Sequence, residues 1–378
     1  MSDKRRVVIL GVGLHPFGRF PDKPAEDLAR EAALEALKDA GIEYKDVQAG
    51  YCGWVMSLPG LGLRLFSELG QTGIPITNTE LACASSSRGA MLAADAISAG
   101  IYDMCLVIGL EKMMRGLIPG AGAGGGAGGG YQTLMGMFLM PGAYAMMAQR
   151  HMHSYGTTRE QFAQVSVKSH KNAVHNPCAQ YRTPLTLEEI LNSRMIADPI
   201  TLYQCCPTSD GASAVVLCSE EKARQYTTKP VFLTGWGGAT PIYSRDEPEL
   251  SEGPTEVLAK KVYERAGVGP EDVNVAQVHD AFTPGEVLTV EKLGFCKPGE
   301  GGPFVWEGNT EITGSKPVNT DGGLLSRGHP MGATGGAMIV EITRQLRGQA
   351  GERQVADPKV GILHNAGIGG VNVMIFEA

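Results

Sequence analysis

No stretch of this 378-residue chain approaches the ~20 apolar positions that a membrane span needs. The apolar run at residues 7–13, after a charged start, is too short for the core of a secretory signal. The eight cysteines (52, 83, 105, 178, 205, 206, 218 and 296) contain no CxxC pair and no zinc-ligand spacing with histidine. There is no Walker A motif. Gly11-Val12-Gly13-Leu14-His15-Pro16 lacks the third glycine of a dinucleotide fingerprint and meets a proline soon after the turn. Positive charge is short as well. A net charge of −7 gives no reason to expect nucleic acid or an anionic membrane surface. Any anionic ligand must then be held by local groups. No metal and no covalently bound cofactor are expected, and a reduced, cytoplasmic enzyme fits these absences.

What the chain does have is bulk and glycine. At 378 residues, with 43% hydrophobic and 19% charged residues, it suits two similar units around a large core. Its 51 glycines imply many tight turns or close backbone approaches.

The chain also repeats itself. Residues 40–47 read Ala-Gly-Ile-Glu-Tyr-Lys-Asp-Val, and residues 266–273 read Ala-Gly-Val-Gly-Pro-Glu-Asp-Val. Upstream, at nearly the same offset, the apolar run 7–13 resembles 231–237. Downstream, Gly89-Ala90-Met91 recurs as Gly336-Ala337-Met338. Each repeat predicts a strand, an amphipathic helix (about 25–40 and 253–266) and a second strand. Closing strands are predicted at 212–218 in the first copy, and at 360–364 and 371–376 in the second. The division expected is residues 1–225 and 226–378, an α/β duplication. An excursion at about 112–200 in the first copy has no counterpart and reads as an inserted lid. Its Gly/Ala run, 120–130, suits either a mobile flap or a tolerated surface insertion. Helices are predicted after it at about 141–154 and 158–175.

Cys83 carries the chemistry best. It sits where a polar turn, Asn78-Thr79-Glu80-Leu81-Ala82-Cys83, enters an Ala-rich helix. A helix N-terminus favours a thiolate, so the position predicts a nucleophile. A small buried cysteine would give the same local pattern. Two distant segments argue for function: His279-Asp280-Ala281-Phe282 and Gly328-His329-Pro330. A thiol with an imidazole is the minimum for covalent acyl transfer. The loop Ala366-Gly367-Ile368-Gly369-Gly370 could offer backbone N–H groups to an oxyanion. His151 and His153, two apart on a helix, do not face each other as metal ligands would. Asp210-Gly211 reads as a turn that sets the next strand.

Taken together, Cys83-Ala84-Ser85, His279-Asp280-Ala281-Phe282, Gly328-His329-Pro330 and His364-Asn365-Ala366-Gly367 resemble the thiolase superfamily, in particular its sterol-carrier-protein (lipid-transfer) type. The resemblance spans the chain. It includes Tyr155-Gly156-Thr157-Thr158-Arg159-Glu160-Gln161 and Cys206-Pro207-Thr208-Ser209-Asp210-Gly211-Ala212. It implies a five-layer α-β-α-β-α fold, a homodimer, and coenzyme A and acyl-CoA as substrates. Cys83 would carry the acyl group; His329 would activate it; His279 would support the thioester oxygen or a water. The N–H groups of Cys83 and Gly367 would hold the acyl-enzyme oxygen, and Ala281, Phe282 and Asn365 would lie at the substrate. Relatives of this type sometimes work with a separate small zinc-ribbon/OB-fold protein.

One departure stands out: relatives of this type carry an acid/base cysteine where this chain has Ala281. Either His364 or His279 takes over, or water does, or the step is dispensed with. An unreplaced acid/base costs roughly 10²–10⁴-fold in rate. The expectation is a thiolase acting on a 3-oxoacyl-CoA, with room for a branched or aromatic acyl part such as that of benzoylsuccinyl-CoA. The alternatives are another carbon–carbon reaction (acyl transfer to a non-CoA acceptor, or retro-aldol cleavage) and a non-catalytic acyl-CoA or lipid-binding subunit.

Overall fold

Both copies open on a strand whose glycines let a helix lie directly on it. In β1 (Val7–Leu14), a Cβ on Gly13 would stand 2.1 Å from the Ala32 carbonyl oxygen, and one on Gly11 2.3 Å from that of Ala36. Helix α1 (Ala25–Ala40) supplies those carbonyls and buries Leu28, Ala29, Ala32, Ala33, Ala36 and Leu37 at helical spacing. The Gly-x-Gly pattern in this strand therefore serves helix packing. The second copy repeats the device. Gly235 would bring a Cβ to 2.7 Å from the Val262 carbonyl oxygen. Each helix also ends on a left-handed glycine, Gly41 at φ 69° and Gly267 at φ 74°. After each glycine an aspartate turns the chain back: Asp46 Oδ2 accepts the Glu43 N–H at 3.0 Å, and Asp272 Oδ2 accepts that of Gly269 at 2.8 Å. These shared demands are why the repeats read alike.

The computed structural model describes residues 5–56, 60–113, 139–240 and 253–378. The Gly/Ala run lies outside the described residues. In chain order the remaining major elements are β2 (Ala49–Gly53), β3 (Ile76–Thr79), α2 (Ser85–Ser98), β4 (Met104–Lys112), α3 (Met140–Tyr155), α4 (Arg159–Ala173), β5 (Asp210–Ser219) and β6 (Val231–Ala239). Then come α5 (Pro254–Ala266), β7 (Val275–Val278), α6 (Thr283–Lys292), α7 (Met331–Leu346), β8 (Val360–Gly367) and β9 (Gly370–Glu377). The predicted strands and helices are all present. Where strand 360–364 was expected to stop, β8 runs on to Gly367, paired with β9 to its last residue.

The strands form one sheet in the order β3-β2-β4-β5-β1-β6-β9-β8-β7. The order is mirrored about the β1–β6 junction, where residues 7–9 pair antiparallel with residues 231–233. The counterpart of β3 in the second copy is reduced to a parallel bridge between Val318 and Ala276. The sheet wraps a central helical layer, α2 and α7. Helix α7 buries every residue but Arg344, as a helix between two sheet faces must. Three apolar clusters separate the five α-β-α-β-α layers: one around α2 and α7, one beneath α1, one beneath α5.

The excursion packs onto the second copy. Ala148 of α3, with Phe162 and Val165 of α4, meets Val287 of α6. Lys168 and Glu286 form a buried ion pair across the same seam.

Candidate active site

Small residues bring the two central helices close enough for their leading loops to meet. A Cβ on Gly335 would lie 2.6 Å from the Ser87 amide nitrogen, and the Gly336 N–H donates to Ser86 Oγ at 2.9 Å. The loop before α2 carries Cys83, and the loop before α7 carries His329. Ala82 just before the cysteine is left-handed at φ 46°, a conformation that costs an alanine about 1 kcal/mol. Side chains hold the turn. Ser85 Oγ donates to the Ala82 carbonyl at 2.6 Å and accepts the Leu81 N–H at 2.9 Å, while Glu80 accepts the Ala82 N–H at 2.7 Å.

His329 Nε2 lies 3.2 Å from Cys83 Sγ. Its other nitrogen, Nδ1, is 2.8 Å from Thr334 Oγ1, and that hydroxyl gives its one proton to the Pro330 carbonyl at 2.9 Å. Thr334 can then only accept from the ring, so the imidazole proton sits on Nδ1 and Nε2 faces the thiol as a base. The His329 N–H in turn donates to Ser209 Oγ at 3.0 Å.

His279 stands edge-on to His329, ring centroids 5.2 Å apart. Asn365 Nδ2 lies 3.2 Å from its Nδ1, with the amide assigned this way because the one Ser87 hydroxyl proton goes to Asn365 Oδ1 at 2.7 Å in preference to the Ala84 carbonyl at 3.0 Å. An amide N–H only donates, so the His279 proton is on Nε2. One nitrogen from each ring and Cys83 Sγ lie within 4.8 Å of one another, a convergence of three such side chains found nowhere else among the described residues.

The charge state differs from the one expected at a helix N-terminus. Helix α2 starts at Ser85, so Cys83 lies outside its first turn, where the dipole fades. Burial and then the nearby Glu111 push the thiol up to about 12. Burial also holds His279 down at about 3, aided by Arg327, and keeps His329 well below its usual range, aided by His279 and Arg327. The resting pair is therefore a neutral thiol beside a neutral imidazole. Arg327, fully buried two residues before His329, is anchored by Asp321 and by Gln277.

These groups line a cavity of about 500 Å³ with an apolar wall that includes Met140, Ile196, Leu202 and Met331. Ala281 and Phe282 line it too, as do Cys205, Cys206 and two exposed cations, Arg19 and Arg194. Gly367 belongs at the nucleophile turn: a Cβ there would stand 2.0 Å from the Leu81 carbonyl oxygen. Asn365 lies behind His279 and is fully buried. His364 is not among the cavity-lining residues. It points to the opposite face of β8, where Nε2 lies 3.1 Å from Thr255 Oγ1 at the start of α5. His151 is a packing residue, bonded to Thr157 and Glu291. Asp210 is the first residue of β5 rather than part of a turn, and it accepts the N–H groups of Phe20 at 2.8 Å and Met113 at 3.0 Å.

Sequence reasoning missed Thr334, Ser87 and Ser209 as positioning residues. Thr334 carried a signal, because five residues beyond His329 it lies on the first turn of the helix that follows it.

Residues 7–221 match the family model of the thiolase N-terminal domain, and residues 241–376 that of the thiolase C-terminal domain-like family. The chain belongs to the thiolase family, and it is an acyltransferase of the thiolase kind. Over 96% of both chains it is 40% identical to an acetyl-CoA acetyltransferase of Methanothermobacter thermautotrophicus. It is 39% identical to the benzoylsuccinyl-CoA thiolase subunit BbsB of Thauera aromatica, over 98% of this chain and 96% of that one. With sterol carrier protein 2 of Bos taurus it shares 37% identity, over 98% of this chain and 72% of that one. Among solved structures it is similar to the Ltp2-ChsH2(DUF35) aldolase, with a TM-score of 0.86 and 28% identity over 99% of this chain and 98% of that one.

Proposed function

We propose that the protein is a thiolase that cleaves or forms a 3-oxoacyl-CoA through an acyl group carried on Cys83, with CoA as acceptor. The observation that carries this is the Cys83–His329 pair, with the imidazole locked by Thr334 as a base toward the thiol. In cleavage, Nε2 of His329 takes the thiol proton as Sγ attacks the 3-oxo carbonyl. The neutral ground state suits this step, since charge appears only as the bond forms. The N–H groups of Cys83 and Gly367 hold the developing oxyanion, and Nε2–H of His279 donates to the thioester oxygen, as preorganised dipoles do. His364 is the remaining histidine proposed for acid/base work, although it stands outside the cavity with Nε2 3.1 Å from Thr255 Oγ1.

The apolar cavity, with an alanine at 281 beside Phe282, supports a branched or aromatic acyl part, and the benzoylsuccinyl-CoA thiolase subunit among the relatives points the same way. Two copies of the chain, each divided at about residues 225/226, are proposed to form the enzyme. A small zinc-ribbon/OB-fold partner is proposed from the named partner of the aldolase structure.

The test is intact-protein mass spectrometry after mixing with acetyl-, succinyl- and benzoyl-CoA, beside a Cys83→Ala variant. An acyl increment lost in that variant is expected; no increment with any donor overturns the reading. The similarity to an aldolase favours one second reading, retro-aldol cleavage. It needs no cysteine nucleophile, so carbon–carbon cleavage surviving in Cys83→Ala would establish it.

A further inference from the structure

Attack by Cys83 accounts for half of the proposed chemistry. The other half needs a second proton carrier. When the C2–C3 bond breaks, the electron pair stays on C2 of the departing acyl-CoA, which must take up a proton. The incoming CoA thiol must then lose one. His329 already holds the proton of Cys83 at this point, and His279 is committed as a donor to the thioester oxygen. Ala281, beside them, has no proton to give.

Two further thiols line the same cavity, Cys205 and Cys206. The Cys205 thiol is turned to the backbone and donates to the Thr201 carbonyl at 3.4 Å. Cys206 makes no such bond among the described residues. Its N–H donates to the Ala281 carbonyl at 2.8 Å, and Cys205 bridges antiparallel to Phe282. The 205–206 segment thus lies directly across from 281–282. Three residues on, Ser209 accepts the His329 N–H at 3.0 Å, so one short loop registers Cys206 against the histidine loops. Cys206 also senses Cys83: burial raises its thiol well above the usual range, with Cys205, Cys83 and Asp280 adding to the effect. It is held as an S–H, the form a proton donor needs.

We propose that Cys206 is the proton-transfer residue of the second half of the reaction, serving from across the strand the position that Ala281 leaves empty. In cleavage its S–H bond breaks and the proton goes to C2, releasing acyl-CoA and leaving a Cys206 thiolate. That thiolate takes the proton of CoA. The CoA sulfur then attacks the acyl group on Cys83, expelling the Cys83 thiolate, which recovers its proton from His329. Both cysteines end as they began.

The proposal rests on the thiolase reading, and two readouts separate them: the acyl adduct on Cys83, and exchange of the C2 hydrogens of acetyl-CoA with D2O. Wild-type protein is expected to show both. Cys206→Ala and the better size match Cys206→Ser should keep the adduct and lose exchange by about 10²–10⁴-fold. Adding Ala281→Cys to Cys206→Ala should restore exchange to within about tenfold of wild type, an outcome no packing role explains. Exchange at wild-type rates in both single variants overturns the proposal, as does a wild-type protein that acylates without exchanging. Loss of the adduct in both single variants makes Cys206 structural and overturns it too. Absence of any adduct on wild-type Cys83 overturns the thiolase reading itself.

Discussion

Thr334 sits 2.8 Å from Nδ1 of His329, five residues further along the chain, and its hydroxyl proton is already spent on the Pro330 carbonyl. Which nitrogen of the base is free is therefore decided by a threonine that never meets the substrate. Thr334→Val keeps the shape and removes the acceptor. The single-turnover rate of Cys83 acylation should fall about tenfold to a hundredfold, the equivalent of roughly 1.4–2.8 kcal/mol. Thr334→Ser should stay close to wild type. A valine variant at full speed would detach the tautomer from Thr334.

Cys83 should behave as a high-pKa thiol in the resting enzyme. With its pKa pushed up to about 12, the thiolate fraction grows about tenfold per pH unit across the neutral and mildly alkaline range. Alkylation by iodoacetamide, followed by peptide mass spectrometry, should rise in that proportion from pH 7 to 10 without levelling. A plateau below pH 8 would mean a standing thiolate–imidazolium pair.

Two glycines of the first repeat should respond differently to alanine. At Gly13 the new Cβ meets the Ala32 carbonyl oxygen at 2.1 Å, so α1 must move, at a cost of about 1–3 kcal/mol or more. At Gly41 nothing lies within 4 Å, and only the left-handed φ of 69° opposes the change, about 1 kcal/mol. Urea denaturation of the two variants should rank Gly13→Ala as the worse.

The buried histidines tie stability to pH. His279 and His364 are held at about 3, both chiefly by burial, against an ordinary value of 6.5. Between those values the unfolded chain binds protons that the folded one does not. Their contribution is complete above pH 6.5 and is lost as pH falls towards 3. Glu111 and Asp280, raised by burial to about 7, slope the other way in part of this window, so a wild-type curve alone does not isolate the effect. His364→Gln removes one proton from the difference. Between pH 4 and 6 its stability should fall less steeply than wild type, by about 1.4 kcal/mol per pH unit. Parallel slopes would show that His364 is charged in the folded protein.

The fold was readable because its demands are local. An apolar stripe at helical spacing, alanine-rich in α1 and larger in α5, a left-handed glycine and a capping aspartate recur in both copies, since each copy solves the same packing problem. The nucleophile and its base were readable as residue types in distinctive loops. What sequence could not give was orientation. His364 and Asn365 are adjacent, yet strand alternation sends one to Thr255 and the other to His279. At Cys83 two local effects oppose each other. Cys83 falls outside the first turn of α2, where desolvation outweighs what is left of the dipole. Cys206 was visible as half of a vicinal pair, but its place across from Ala281 depends on a backbone pairing between segments 75 residues apart in sequence (281 − 206).

The strand order also has a consequence for synthesis. In each copy the strand made last, β5 or β9, enters the interior of its half: β5 between β4 and β1, β9 between β6 and β8. Until that strand has been translated, its two neighbours present bare apolar edges to solvent or to a second nascent chain. The second copy cannot close before β9 emerges, because until then β8 is paired on one edge alone, with β7. A chain stalled just short of β9 would already carry Cys83, His279, His329 and Asn365, with β6 and β8 still lacking the strand that joins them.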